Sequence, residues 1–152
     1  MKIKNIFEND SVETYISRLD NLDTTTQPLW GKMDAAQMLA HLNISYKQVK
    51  NNEKTNYSWL TKLIFKTFVK GIVVGEKPYK RNSKTAPAFI IADKKNFQKE
   101  KEELIANMKE VLGQGPSYYE GKESTSFGKL SAKEWNNLFA KHLEHHFQQF
   151  DL

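Results

Sequence analysis

Cysteine is absent from this 152-residue chain. Its absence excludes disulfides, thiolate metal ligands, iron–sulfur clusters and a cysteine nucleophile together. Any bound metal must therefore be held by histidine, aspartate or glutamate. Long apolar runs are missing as well, since no stretch reaches the roughly 18 uncharged apolar residues that a spanning helix needs. The opening MKIKNIFENDSVETYISRL has neither an apolar h-region nor a small-residue cleavage site, so a cytoplasmic location is expected. Alternating apolar strands of useful length are lacking too. What is present is 39% hydrophobic and 12% aromatic residues, enough for one packed interior, with 27% charged residues and a mean hydropathy of −0.67. These values predict one soluble globular domain over residues 1–152.

The net charge of +5 is unevenly placed. Residues 47–84 carry ten basic residues (Lys47, Lys50, Lys54, Lys62, Lys66, Lys70, Lys77, Lys80, Arg81 and Lys84) against Glu53 and Glu76, a local excess of eight. The remainder is slightly acidic. Such a cluster can attract phosphates, anionic lipids or acidic small molecules, or it can simply be a solvated lysine face. Nothing in the pattern calls specifically for nucleic acid.

Five segments read as helix. Asp10-Ser-Val-Glu13 has capping-box spacing ahead of Val12, Ile16 and Leu19. Asp34-Ala-Ala-Gln37 repeats that spacing and opens a helix to about Asn51, with Met38, Leu42, Ser45 and Val49 on one face. A third, amphipathic helix covers roughly Trp59 to Ile72. A loop from Gly75 to about Ala92 contains Pro78 and Pro87. The fourth helix starts near Asp93, and Gly113-Gln-Gly115-Pro116 is expected to stop it, giving way to a loop over Ser117 to Lys129. Ser131-Ala-Lys-Glu134 is a full capping box opening the last helix, which continues to about Phe150. An all-α bundle is the consistent fold class. Trp30 and Trp135 read as core anchors.

Three of the four histidines, His142, His145 and His146, fall within five residues of the last helix. His142 and His146 lie about 40° apart, one turn separated, so two imidazoles can converge on one ion. His145, about 60° from His142, is an alternative. The stripe of Trp135, Leu138, Phe139, His142, His146 and Gln149 favours His142 with His146. His41, among Met38, Leu42 and Ser45, should also face inward. If the two helices are neighbours, three imidazoles meet at one point and leave an open coordination position, as in catalytic rather than structural zinc sites.

The patterns Trp30-Gly31-x-Met33 with Met38-Leu39-Ala40-His41-Leu42, Lys80-Arg81-Asn82-Ser83-Lys84-Thr85, and Ser126-Phe127-Gly128 through Glu134-Trp135 into His142-x-x-His145-His146-x-x-Gln149-Phe150 resemble the DinB-like (YfiT-like) metalloenzymes. More narrowly they resemble a branch of that superfamily described only as a domain of unknown function. The resemblance covers nearly the whole chain. It implies a four-helix bundle of up-down-down-up type, the third predicted helix being an insertion between bundle helices 2 and 3. It also implies a metal held by His41, His142 and His146. The superfamily includes thiol-dependent transferases and isomerases alongside members with no known reaction.

From these readings the expected cofactor is a divalent metal, zinc or nickel with iron as the alternative, acting with a low-molecular-weight thiol or water on a small-molecule substrate. Gln149, Tyr118 and Tyr119 are the candidate substrate contacts. The competing expectation is a non-catalytic binding protein that uses the basic 47–84 segment for an anionic partner. The apolar residues around most of the third helix further suggest a homodimer contact.

Overall fold

The computed structural model describes residues 3–51 and 58–152. They are mostly helical: α1 (Asn9–Leu19), α2 (Ala35–Lys50), α3 (Trp59–Ile64), α4 (Lys70–Val74), α5 (Phe97–Tyr119) and α6 (Ala132–Gln149). A π-helical turn over Phe65–Val69 joins α3 to α4 without a break, and a 3₁₀ turn occupies Pro87–Phe89. Two-residue strands β1 (Glu123–Ser124) and β2 (Gly128–Lys129) pair antiparallel ahead of α6. The all-α class therefore holds, with this small hairpin added. Among the described residues no helix is long and apolar enough to cross a membrane.

Local chemistry accounts for most of the boundaries. Asp34 accepts from the Gln37 amide at 2.8 Å while Gln37 accepts from the Asp34 amide, and Ser131 and Glu134 do the same at α6. The similar spacing at Asp10–Glu13 forms no box. Helix α1 starts two residues earlier than that spacing implies, after Glu8, and Asp10 sits in its first turn, where a negative charge meets the positive end of the helix dipole. Helix α5 begins at Phe97, capped by Asn96, rather than near Asp93, which instead pairs with Lys95. Nor does the chain leave helix at Gly113. It kinks at Gly115 (φ 70°, ψ 173°), and Pro116 opens one further turn, where its missing N–H costs nothing.

Helix α6 supplies the centre of the core through Trp135, Phe139, Leu143 and Phe147, all essentially solvent-free. Val12, Tyr15 and Leu19 of α1, Leu39, Leu42 and Tyr46 of α2, and Leu104, Met108 and Val111 of α5 close around them. Each such side chain contributes about 1.5–3 kcal/mol by leaving water. The Tyr46 ring stacks flat on Phe139 at 4.7 Å. Trp135 is thus the anchor expected of it. Trp30 is not: it stays half-exposed, with the Arg81 guanidinium 4.3 Å over its ring.

Polar clamps set the register between helices. Asn43 of α2 donates to the Glu100 carbonyl and carboxylate at 3.0 and 2.9 Å and accepts from Asn107 at 3.0 Å, tying α2 to α5. Arg18 of α1 pairs with Glu144 of α6 at 2.7 Å. Buried Lys141 donates to the carbonyls of Ile72, Val73 and Gly75 at 2.8, 3.2 and 2.6 Å, and Asn137 donates to Val74 at 2.8 Å. These are carbonyls that the end of α4 cannot satisfy itself. Burial pushes the Lys141 ammonium down to about 8. Replacing its head group by Lys141→Met leaves three carbonyls short of a donor, and the expected loss is about 1–3 kcal/mol. A lower denaturant midpoint at unchanged slope would report it; an unchanged midpoint would show that α4 is held by its apolar contacts alone.

Candidate metal centre

Helix α6 presents His142 and His146 on adjacent turns, and α2 brings His41 against both. The ring centroids are 4.8 Å (His41–His142), 4.6 Å (His41–His146) and 5.0 Å (His142–His146) apart. One ring nitrogen from each residue lies within 4.8 Å of the other two. The three residues that the spacing singled out are therefore brought together, although their helices are about a hundred residues apart in the chain.

The outward edges of all three rings are held. His41 Nδ1 donates to the Phe89 carbonyl at 2.7 Å, His142 Nδ1 lies 2.9 Å from Ser45 Oγ, and His146 Nδ1 donates to Gln149 Oε1 at 2.7 Å. Gln149 in turn donates through Nε2 to the Trp30 carbonyl at 2.6 Å, which fixes its amide orientation. With the Nδ1 edges engaged, the Nε2 edges are the ones available to converge. Those of His41 and His142 are 2.8 Å apart.

Two arrangements satisfy this geometry. Without a cation, His142 carries its proton on Nε2 and donates to His41 Nε2, while the Ser45 hydroxyl donates to His142 Nδ1. With a cation, the proton sits on Nδ1 and the hydroxyl turns to accept it. A serine hydroxyl serves in either sense by rotation, so neither state leaves His142 unpaired. Burial keeps the imidazoles neutral, as a ligand nitrogen must be: His146 is pushed down to about 3, and His142 well below the ordinary histidine value by burial first and by the neighbouring imidazoles second. His41 is lowered by burial against the opposing effect of the Phe89 carbonyl. The residues thus fit a divalent transition ion with nitrogen donors.

A cavity of about 430 Å³ opens beside His146. Trp30, Met33, Phe89 and Ile90 are among its apolar lining, and Lys32, Asn82, Ser83 and Thr85 among its polar lining. His145 and Gln149 also line it, and among the described residues no carboxylate does. His145 stands outside the three-nitrogen cluster, edge-on to Trp30 and Tyr79 at 5.9 and 5.6 Å. Gln149 lines the cavity while its amide is committed to His146 and Trp30. Tyr118 and Tyr119 are not brought to the histidines. They line a separate cavity of about 240 Å³ with Tyr46 and Glu110, and Tyr119 packs edge-on to Trp135 and Phe139.

Two partners of the rings, Ser45 and the Phe89 carbonyl, and the Trp30 carbonyl that holds Gln149 escaped sequence reasoning. Ser45 had a weak signal, being on the inward face of its helix one turn from His41. The Phe89 and Trp30 carbonyls had none, because every residue carries one. Among the ten basic residues of 47–84, Lys47, Lys50 and Lys70 pair with Glu103, Glu110 and Glu134 from α5 and α6. Glu76 pairs with Lys133, while Glu53 and Lys54 lie outside the described residues.

The family model described as "Protein of unknown function (DUF1569)" matches residues 2–151. Comparison with curated proteins and with solved structures gives no match.

At Gly31 the backbone next to the site disfavours any residue with a side chain. Its φ is +87°, and a Cβ there would stand 2.5 Å from Gln149 Nε2. Gly31→Ala is expected to cost about 1–2 kcal/mol from the left-handed backbone alone, and more from displacing the Gln149 amide. Thermal unfolding followed by circular dichroism checks this; an unshifted midpoint would show that the turn relaxes freely.

Proposed function

The chain belongs to the DUF1569 family, and we propose that it is a DinB-like metalloprotein that uses His41, His142 and His146 to bind one divalent transition metal. In this reading α1, α2, α5 and α6 are the four bundle helices, and α3 with α4 is the insertion between the second and third. Zinc or nickel suits the donor set, with iron as the alternative. The observation that carries the proposal is the arrangement of three neutral imidazoles from two helices, their Nδ1 edges each held by a partner and their remaining nitrogens gathered within 4.8 Å.

When bound, such an ion supplies a Lewis acid with an open position and makes a thiolate or hydroxide available near neutral pH. The protein's own groups do the rest. The Phe89 carbonyl, Ser45 and Gln149 hold the rings in their tautomers and raise their basicity. The cavity beside His146 receives a small-molecule substrate, with Trp30, Met33 and Phe89 as apolar lining and Lys32 as its cation. Gln149 shapes that cavity, whereas Tyr118 and Tyr119 have no part in it. With no cysteine in the chain, a thiol nucleophile must arrive as a small molecule, and the reaction class is transfer to, or hydrolysis of, a small electrophile. A cytoplasmic location belongs to this reading.

Metal content by mass spectrometry on protein purified without a histidine tag is the test. About one equivalent of a transition metal is expected, lost in His41→Ala and in His142→Ala. No metal, even after reconstitution with zinc or nickel, would make the three histidines core residues. The Gln149→Leu variant should keep its fold and bind the ion about 10–100-fold more weakly. Competition with a chromophoric chelator measures that, and wild-type affinity would remove Gln149 from the site.

A further inference from the structure

The rod formed by α3, the π turn and α4 faces the wrong way for a helix of a self-contained domain. From Trp59 to Val69 no residue is buried. Leu60, Ile64, Phe68 and Ile72, spaced by four, are 52%, 46%, 73% and 65% exposed, and Trp59 and Leu63 join them at 76% and 49%. These six are most of the large apolar side chains left exposed among the described residues. The opposite side carries the polar contacts with the body. Lys70 pairs with Glu134, and the Lys66 stem packs so closely on Gly128 that a side chain there would collide with it. On an α-helix a spacing of four drifts by about 40° per step. The wider π turn in the middle offsets part of that drift and keeps the apolar line straighter.

We propose that this face docks on an anionic lipid bilayer surface. Charge complementarity selects that occupant. Residues 58–75 contain no acidic side chain, and among residues 58–92 Glu76, already paired with Lys133, is the only one. Lys62 and Lys66 on the rod, and Lys77, Lys80, Arg81 and Lys84 just beyond it, form no ion pair among the described residues. An apolar helix face backed by a polar side whose only charged residues are lysines, with a tryptophan near one end, is the chemistry of a helix lying in the headgroup region. A two-fold pairing with a second copy would bring together two rods that carry lysines and no carboxylate. The rod is meanwhile fixed at the α4 end, where Lys141 and Asn137 hold its last carbonyls. The apolar line therefore stands off the domain as a unit.

The full chain is floated with vesicles of phosphatidylcholine alone and of phosphatidylcholine mixed with phosphatidylglycerol, at low and high salt, and light scattering gives its mass without vesicles. Binding to the mixed vesicles is expected to exceed binding to the neutral ones by about ten-fold or more and to fall as salt rises. Ile64→Ser with Phe68→Ser, both already exposed, should abolish flotation with the helical circular dichroism unchanged. Lys62→Glu with Lys77→Glu should lower it about ten-fold or more. Absence of flotation at low salt, or flotation indifferent to both double variants, overturns the proposal. A wild-type dimer that the Ile64→Ser and Phe68→Ser variant converts to a monomer overturns it too and assigns the face to a second copy.

Discussion

Everything at the candidate site depends on how α6 is rotated against α2. The contact where Ser45 and His41 meet His142 exists only if His142 and His146 point at α2 while Phe139, Leu143 and Phe147 point at the core. A rotation of α6 by one residue, about 100°, would put Leu143 and Phe147 where the two imidazoles stand. That rotation is fixed from several sides. The aromatic stripe is solvent-free, Glu144 is paired with Arg18 of α1, Lys141 caps α4, and the Ser131–Glu134 box closes the first turn. Losing any one of the polar contacts costs on the order of 1–3 kcal/mol, so the orientation is over-determined and the histidines need not be their own support.

The polar groups around the rings follow from the same burial. An imidazole taken out of water with an unmatched nitrogen costs free energy, and each of the three has been given a partner on the edge facing away from the others. Two of those partnerships run to backbone carbonyls, directly at Phe89 and through Gln149 at Trp30. The loops bearing Trp30 and Phe89 are thereby tied to the histidines, and the same two residues wall the adjoining cavity. The set of contacts that orients the rings also shapes the space beside them. This is why Gly31, which stands against the Gln149 amide, matters to the arrangement.

Charge tells a parallel story. The basic excess of residues 47–84 is real in the chain, but α5 and α6 return carboxylates to Lys47, Lys50 and Lys70. Of those left without an ion pair among the described residues, Lys62 and Lys66 belong to the rod of α3 and α4, the same element that leaves its apolar line uncovered, whereas Arg81 lies over Trp30 beside the histidine cavity.

Much of this was legible beforehand, for local reasons. Helix existence, the boxes at Asp34 and Ser131 and the pairing of His142 with His146 depend on residues three or four apart, and that spacing alone decides which side chains share a face. The failures were also local in form. Asp10–Glu13 has a box's spacing without the extended backbone a cap requires, and Gly115 with Pro116 kinks a helix that composition alone would end. The sequence by itself therefore determined the helices, their apolar faces and three histidines free to converge. Only the tertiary structure decided that they do converge, that Ser45, Gln149 and two carbonyls hold them, that Tyr118 and Tyr119 face elsewhere, and which lysines remain unpaired. Each of these is a contact between residues tens of positions or more apart, or with a backbone atom that every residue carries, so no local pattern encodes it.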